Sequence, residues 1–235
     1  FKFYEEHFFP YLKENNITHC LHLGDIMDRR KFVSYRTAKN FRERFIKPFS
    51  DLGIQLHILV GNHDTYFKNT NEVNSITELI GTRYDNVHIY PEAKEIELDG
   101  LPVMLVPWIN ASNHAKTMSA MDKSKADILM GHLEVQGFEM IKGVHCENGY
   151  AKDLFRKFDT VFSGHFHIKS DDGHIYYLGN PYEIYWNDCG DKKGFHIFDT
   201  ETRQLDRIVN PLTIYKKIYY DDITTNYKDH DITQY

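Results

Sequence analysis

Apolar positions along the chain gather into short runs that stop at glycine. Residues 18–23 form one such run, closed by Gly24-Asp25, as a buried strand entering a loop would be. The same pattern recurs at 55–60 before Gly61-Asn62, at 127–130 before Gly131-His132, and at 160–162 before Ser163-Gly164-His165. Helical spacing lies between these runs. Phe1, Phe8, Phe9 and Leu12 share a rough apolar face, with Pro10 either kinking that helix or marking its start. Ser34 predicts an N-cap for a helix over 35–52, and Gly53 its stop. Further helices are predicted over 72–80, ahead of Gly81, and around 151–158. Strands are predicted at 87–90, 95–98 and 103–106, with Asp99-Gly100 as a hairpin turn between the last two. The final third reads as β at 175–178, 195–199 and 204–209, with a turn at 200–202, and again at 214–220. This order predicts an α/β fold with a substantial antiparallel component. A two-sheet sandwich with helices outside fits it better than a purely parallel sheet.

Composition narrows the choice. At 235 residues with 41% hydrophobic side chains, the chain can bury the core of one large domain and is not a disordered segment. No apolar run approaches the ~20 residues that span a bilayer. Three cysteines, Cys20, Cys146 and Cys189, are too few and too scattered for a disulfide framework or a zinc ribbon, which points to a reducing, cytoplasmic setting. A net charge of −6 argues against coating nucleic acid through a broad basic surface, but not against holding phosphate locally through metal ions. The chain opens on Phe1 rather than Met, inside a helix, and reads as a piece of a longer protein.

The 14 histidines need a chemical reason. Four strand ends share one feature: glycine followed at once by a residue that can ligate a metal, as Gly24-Asp25, Gly61-Asn62, Gly131-His132 and Gly164-His165. Loops at the carboxyl ends of strands are where α/β proteins place ligands, and glycine there leaves room for an ion or a phosphate. Aspartate, asparagine and histidine together suit Mn²⁺, Fe²⁺ or Zn²⁺ better than Ca²⁺. His165 and His167 fall on the same side of an extended segment. Of the other histidines, His19, His22 and His57 read as packing or strand-edge residues, and His145, His174 and His196 as structural. Trp108, after Val106-Pro107, reads as core or rim packing, and Lys216 and Lys217 among tyrosines as an edge strand.

These motifs, as Gly24-Asp25-Ile26-Met27-Asp28-Arg29, Gly61-Asn62-His63-Asp64, Gly131-His132 and Gly164-His165-Phe166-His167, resemble those of the calcineurin-like metallophosphoesterases. The resemblance implies a ββ sandwich flanked by helices and a hydrolase with two divalent ions, Mn²⁺ first, with Fe²⁺, Zn²⁺ or Mg²⁺ as alternatives. It makes Asp25 the bridge between the ions, gives Asn62, His132 and His165 to one of them, and gives His167 to the other. It makes His63 the proton donor or electrostatic stabiliser of the leaving oxygen, has Asp28 orient that histidine, and sets Arg29 on phosphate, with Arg30 and Lys31 extending a cationic patch. The family's first motif, Asp-x-His at the end of an opening strand, has no counterpart before Asp25, so that strand is expected to be missing.

Segment order is most similar to the SbcD-type nuclease subunits of DNA repair complexes, and among them to the recombination endonuclease subunits of T-even-like phages. The segments that carry this include Val106-Pro107-Trp108, the stretch from Gly131 to Phe138, and Leu178-Gly179-Asn180-Pro181. The resemblance implies a Mn²⁺-dependent DNA exonuclease and endonuclease, a homodimer, and an SMC-like ABC-type ATPase partner. It further implies a nuclease domain over 1–210 and the start of a C-terminal capping region over 211–235, in a cytoplasmic protein without membrane attachment. Two other readings stay open: a phosphatase or small nucleotide phosphodiesterase of the same fold, and a non-catalytic protein-binding platform.

Overall fold

A computed structural model describes residues 1–218 of the chain. Strands β1 (His19–His22), β2 (Gln55–Leu59) and β3 (Val87–Tyr90) form a parallel three-stranded sheet in that order. A second sheet contains β4 (Lys94–Leu98), β5 (Leu101–Val106), β6 (Ile128–Gly131), β9 (Thr160–Ser163), β10 (Ser170–Asp171) and β11 (Ile175–Tyr177). Its order is β10-β11-β9-β6-β5-β4, parallel through the centre with an antiparallel pair at each edge. Hairpins β7 (Glu139–Ile141) with β8 (Val144–His145), and β12 (Gly194–Phe198) with β13 (Leu205–Val209), stand apart from both. Asp99 and Gly100 both take positive φ, 48° and 82°, and so form the tight turn that joins β4 to β5.

The period of two along each strand sorts side chains into layers. Leu56 and Ile58 of β2 face the helices, packing with Phe41, Phe45, Phe49 and Ile76, while Leu59 faces the other sheet and meets Val103, Leu105, Ile128 and Met130. Strand β5 divides likewise: Val103 and Leu105 lie between the sheets, whereas Met104 and Val106 join Met121, Phe155 and Phe158 on the far side. The sandwich follows from this division, since each buried apolar side chain contributes about 1.5–3 kcal/mol relative to exposure.

Two prolines explain a shared irregularity. Helix α1 opens with a widened turn, Tyr4–Phe8, and continues as Phe9–Glu14; α2 runs through Tyr35–Phe41, widens over Arg42–Ile46 and ends as Lys47–Leu52. Pro10 and Pro48 each follow a wide turn by two residues. Each ring would crowd the carbonyl four residues earlier, at Glu6 or Arg44, and the wider turn removes that clash. Ser34 caps α2, its Oγ accepting the Thr37 N–H at 3.1 Å, and Gly53 stops it at φ 70°.

Several elements depart from the sequence pattern. Helix α3 (Ser75–Ile80) begins at Ser75 rather than 72, because Asn74 caps it through the Thr77 N–H. Helix α4 (His114–Lys123) has no counterpart among the predicted elements; it buries only Thr117 and Met121, too narrow a stripe to read. The helix expected at 151–158 is one tight turn, Lys152–Phe155, with Phe155 and Phe158 buried at three-residue spacing. Residues 214–218 form no strand, since the Ile214 and Tyr215 N–H groups donate to the Glu183 carboxylate at 2.5 and 2.9 Å. The end of that expected strand, 219–220, and the capping region from 219 onward lie outside the described residues.

Strand β1 pairs with β2 along one edge only. A cavity of about 550 Å³ runs along its other edge toward β12, walled by Leu21, Leu23, Phe162, Tyr182, Phe195 and Phe198. His22 Nδ1, Asn180 Nδ2 and His196 Nε2, on residues of the same walls, are buried without a hydrogen-bond partner. Among the described residues the three cysteines are free, and no helix is long and apolar enough to cross a membrane.

Candidate metal centre

The loops after β1, β2, β6 and β9 meet at one end of the sandwich, and their approach is tight enough to demand glycine. Gly24 sits at φ 92°, and a β-carbon there would collide with the His132 ring; one on Gly61 would collide with the Asp25 main chain and carboxylate. Asp25 and His165 themselves adopt left-handed backbone, φ 56° and 74°, conformations that cost free energy and turn both side chains toward the loop junction. Asp64, with 0% exposure, braces the junction. Its Oδ2 accepts the Asp25 and Gly61 N–H groups, both at 2.8 Å, and its Oδ1 accepts the Met27 N–H at 3.0 Å. Across the sheet, Tyr177 Oη donates to the Leu133 carbonyl and accepts the Val135 N–H, both at 3.0 Å, which fixes the loop carrying His132.

His132 is the hub. Its Nδ1–H donates to the Leu23 carbonyl at 2.6 Å, which turns the lone pair of Nε2 inward. That nitrogen lies 2.9 Å from Asn62 Oδ1, 3.3 Å from Asp25 Oδ2 and 3.2 Å from His165 Nδ1. With Nδ1 of His132 committed to the Leu23 carbonyl, its Nε2 faces a carboxylate oxygen, an amide oxygen and a second imidazole nitrogen at hydrogen-bond range. A divalent cation could replace the shared protons there, and two nitrogens with two oxygens suit Mn²⁺, Fe²⁺ or Zn²⁺. Asp25, His132 and His165 each offer a ligand atom within 4.8 Å of the others.

Asp25 and His132 stabilise each other's charge. Burial alone would raise the Asp25 carboxyl, but the His132 charge and hydrogen bonds from His132 and His63 hold it well below the usual carboxylate range. Burial would lower His132, and Asp25 outweighs that and raises it. Burial, reinforced by His132, pushes His165 down to about 3, and burial also lowers His167, so both rings are neutral and able to ligate at pH 7.

His63 adjoins the cluster: its N–H donates to Asp25 Oδ1 at 2.7 Å, and its Nδ1–H donates to the main-chain carbonyl of Asp28, also at 2.7 Å. Nε2 makes no hydrogen bond among the described residues. Asp28 thus touches the histidine through its backbone, whereas its carboxylate lies 3.8 Å from Arg29 Nε, both groups largely exposed. Arg30 donates to Thr65 Oγ1 at 3.3 Å, which ties the loop after β1 to the loop after β2. His167 stands outside the cluster of four. Its ring stacks on Tyr185 (centroids 5.5 Å, planes 6° apart), and its carbonyl accepts from Lys193, whose Nζ forms a buried pair with Asp188 at 2.7 Å.

Sequence reasoning did not assign Asp64, Tyr185, Asp188 or Lys193. Asp64 stands in plain view beside His63, while the other three carry no local signal. Trp108 is a rim residue, its ring 5.3 Å from that of His165. His57 packs within the first sheet, bonded to Tyr90 Oη at 2.9 Å and His19 Nδ1 at 3.2 Å.

The family model for calcineurin-like phosphoesterases matches residues 4–169, and all four cluster residues fall inside that span. The chain belongs to the calcineurin-like phosphoesterase family. This phosphoesterase is 36% identical over 210 residues to exonuclease subunit 1 of Enterobacteria phage T4, the match covering 89% of the chain and 61% of the phage protein. It is 25% identical to the SbcD component of the SbcCD nuclease of Staphylococcus epidermidis, covering 66% of the chain and 48% of that protein. It therefore spans about half to three-fifths of the length of these relatives. A solved archaeal phosphodiesterase aligns with a TM-score of 0.42 at 16% identity, covering 87% of the chain and 94% of that protein.

Proposed function

We propose that this phosphoesterase is the nuclease part of a metal-dependent DNA exonuclease and endonuclease that works in recombination and repair. The convergence of Asp25, Asn62, His132 and His165 on one point carries this reading; the likeness to two nuclease subunits supports DNA as the substrate. Asp25, Asn62, His132 and His165 would hold one divalent ion, Mn²⁺ first, and Asp25 with His167 would share a second. Bound cations would acidify a water and draw charge from the phosphoryl oxygens.

The chain's own residues do the rest. Asp25 stays ionised and fixes the loop after β2 through the His63 N–H. His63, held by the Asp28 carbonyl through Nδ1–H, presents Nε2 to the leaving oxygen and, when the ring carries a second proton on Nε2, would deliver that proton there and return to the neutral imidazole. Arg29 is free to swing onto phosphate, where its guanidinium can donate two hydrogen bonds; Arg30, already tied to Thr65, holds the loop from which it does so. The partners are DNA, an SMC-like ABC-type ATPase subunit and a second copy of the protein, in the cytoplasm, which is the host's if the protein is phage-encoded.

The test uses the full-length protein with Mn²⁺ on linear duplex DNA, with p-nitrophenyl phosphate and cyclic nucleotides as competitors for the assignment. DNA cleavage that EDTA abolishes is expected. Turnover of the small substrates without DNA cleavage would reject the reading. His63→Asn should lower DNA turnover by about 10²–10⁴-fold while metal binding persists, because the ring is not a ligand; equal loss of metal would remove the role.

A further inference from the structure

One stretch of the chain opposes its overall charge. Residues 29–42 carry Arg29, Arg30, Lys31, Arg36, Lys39 and Arg42 and no acidic residue, in a protein of net charge −6. The same stretch exposes aromatic rings that a soluble surface ordinarily hides: Tyr35 is 96% exposed and Phe32 65%, and across the loop after β2 Phe67 is 49% and Tyr66 40% exposed. These groups are continuous with the metal cluster. Arg30 bonds Thr65, whose hydroxyl donates to the carbonyl of Asn62; Lys31 Nζ sits 5.0 Å over the Tyr66 ring, and the Tyr66 and Phe67 rings meet edge-on with centroids 4.7 Å apart.

We infer that this rim is a stacking platform for unpaired nucleotides of the substrate strand, with Phe32, Tyr66 and Phe67 receiving base faces and Arg29, Lys31 and Arg36 the phosphates between them. The inference rests on the nuclease reading and adds where the strand beside the cut is held. Interleaved cations and exposed rings are what a single strand requires, since every base has an apolar face and every linkage a charge. A second copy of the chain is a poorer occupant: a two-fold interface would set this acid-free stretch against itself. Duplex DNA keeps its bases stacked on one another, so the rings give it little.

The experiment combines Phe32→Ala, Tyr66→Ala and Phe67→Ala in the full-length protein. Affinity for a single-stranded oligonucleotide containing 2-aminopurine is measured in a His63→Asn background that stops turnover, with blunt duplex as the comparison. Hydrolysis of bis(p-nitrophenyl) phosphate is measured with His63 present. The expected result is a loss of about tenfold or more in single-strand affinity and loss of the 2-aminopurine signal, with duplex affinity and bis(p-nitrophenyl) phosphate hydrolysis within about twofold. Unchanged single-strand affinity overturns the platform, as does a loss of dimer with affinity intact, which assigns the rings to self-association. Should the triple variant fail to hydrolyse bis(p-nitrophenyl) phosphate, Phe32→Trp decides: its larger ring should tighten single-strand binding, and no change overturns the inference. A wild-type protein that hydrolyses bis(p-nitrophenyl) phosphate yet neither binds nor cuts DNA sinks the nuclease reading, whereas equal cutting of single-stranded DNA at sub-saturating concentration by wild type and triple variant sinks the platform alone.

Discussion

Replacing Asp64 by asparagine keeps the shape of the side chain and takes away an acceptor that the site uses. Asp64 has 0% exposure, and its two oxygens accept three main-chain N–H groups, from Asp25, Gly61 and Met27. Asparagine has one acceptor oxygen. Turned so that this oxygen serves Asp25 and Gly61, the amide nitrogen confronts the Met27 N–H, donor against donor. The stranded N–H costs about 1–3 kcal/mol, and the two surviving bonds, no longer charge-assisted, weaken by about 1 kcal/mol each. Part of this is offset, because burial beside Asp25 already pushes the Asp64 carboxyl up to about 7 against the pull of its hydrogen bonds. A net loss of about 2–4 kcal/mol is expected, or about 5–15 °C in Tm for a domain of this size. Urea titration followed by circular dichroism in EDTA measures it without interference from metal. Unfolding within about 0.5 kcal/mol of wild type, at an unchanged denaturant slope, would refute the brace.

Other outcomes follow from the same geometry. Asp25→Asn should cost most of the bound Mn²⁺, read by calorimetry, because the amide has a weaker and uncharged ligand oxygen; retention of two ions would remove Asp25 as the bridge. Lys193→Met leaves the Asp188 carboxylate buried and unpaired and should lose about 3–5 kcal/mol in urea unfolding. It also leaves the His167 carbonyl with the Asn180 N–H as its remaining donor, so an unaltered His167 ring signal by NMR would count against the anchoring role. Burial, with His88 and His19 nearby, lowers His57 to about 4 from an ordinary 6.5. The unfolded chain therefore binds its proton first. The stability His57 contributes is complete above pH 6.5 and declines as the pH falls toward 4, and His57→Leu should flatten the decline across that window. A decline of the same depth in the variant would assign the acid loss elsewhere.

The chain's own pattern determined the layers and most of the cluster. Short apolar runs located every strand of the three-stranded sheet and the centre of the six-stranded one, because strands covered on both faces read as continuous hydrophobic stretches. Glycine before a ligand-capable residue marked Asp25, Asn62, His132 and His165, since loops converging on one point need both a missing Cβ and a donor atom. The tight turn at 152–155 passed for a helix because three-residue spacing satisfies both readings. Helix α4 escaped because two buried residues make no stripe. Tertiary structure alone decided that His132 Nε2 faces a carboxylate, an amide oxygen and a second imidazole, that Asp28 reaches His63 by its carbonyl, and that Lys193 and Asp188 hold the His167 strand end. Each of these joins residues through side-chain direction and hydrogen-bond partner choice. Those are set by packing between distant segments, and no local spacing along the chain encodes them.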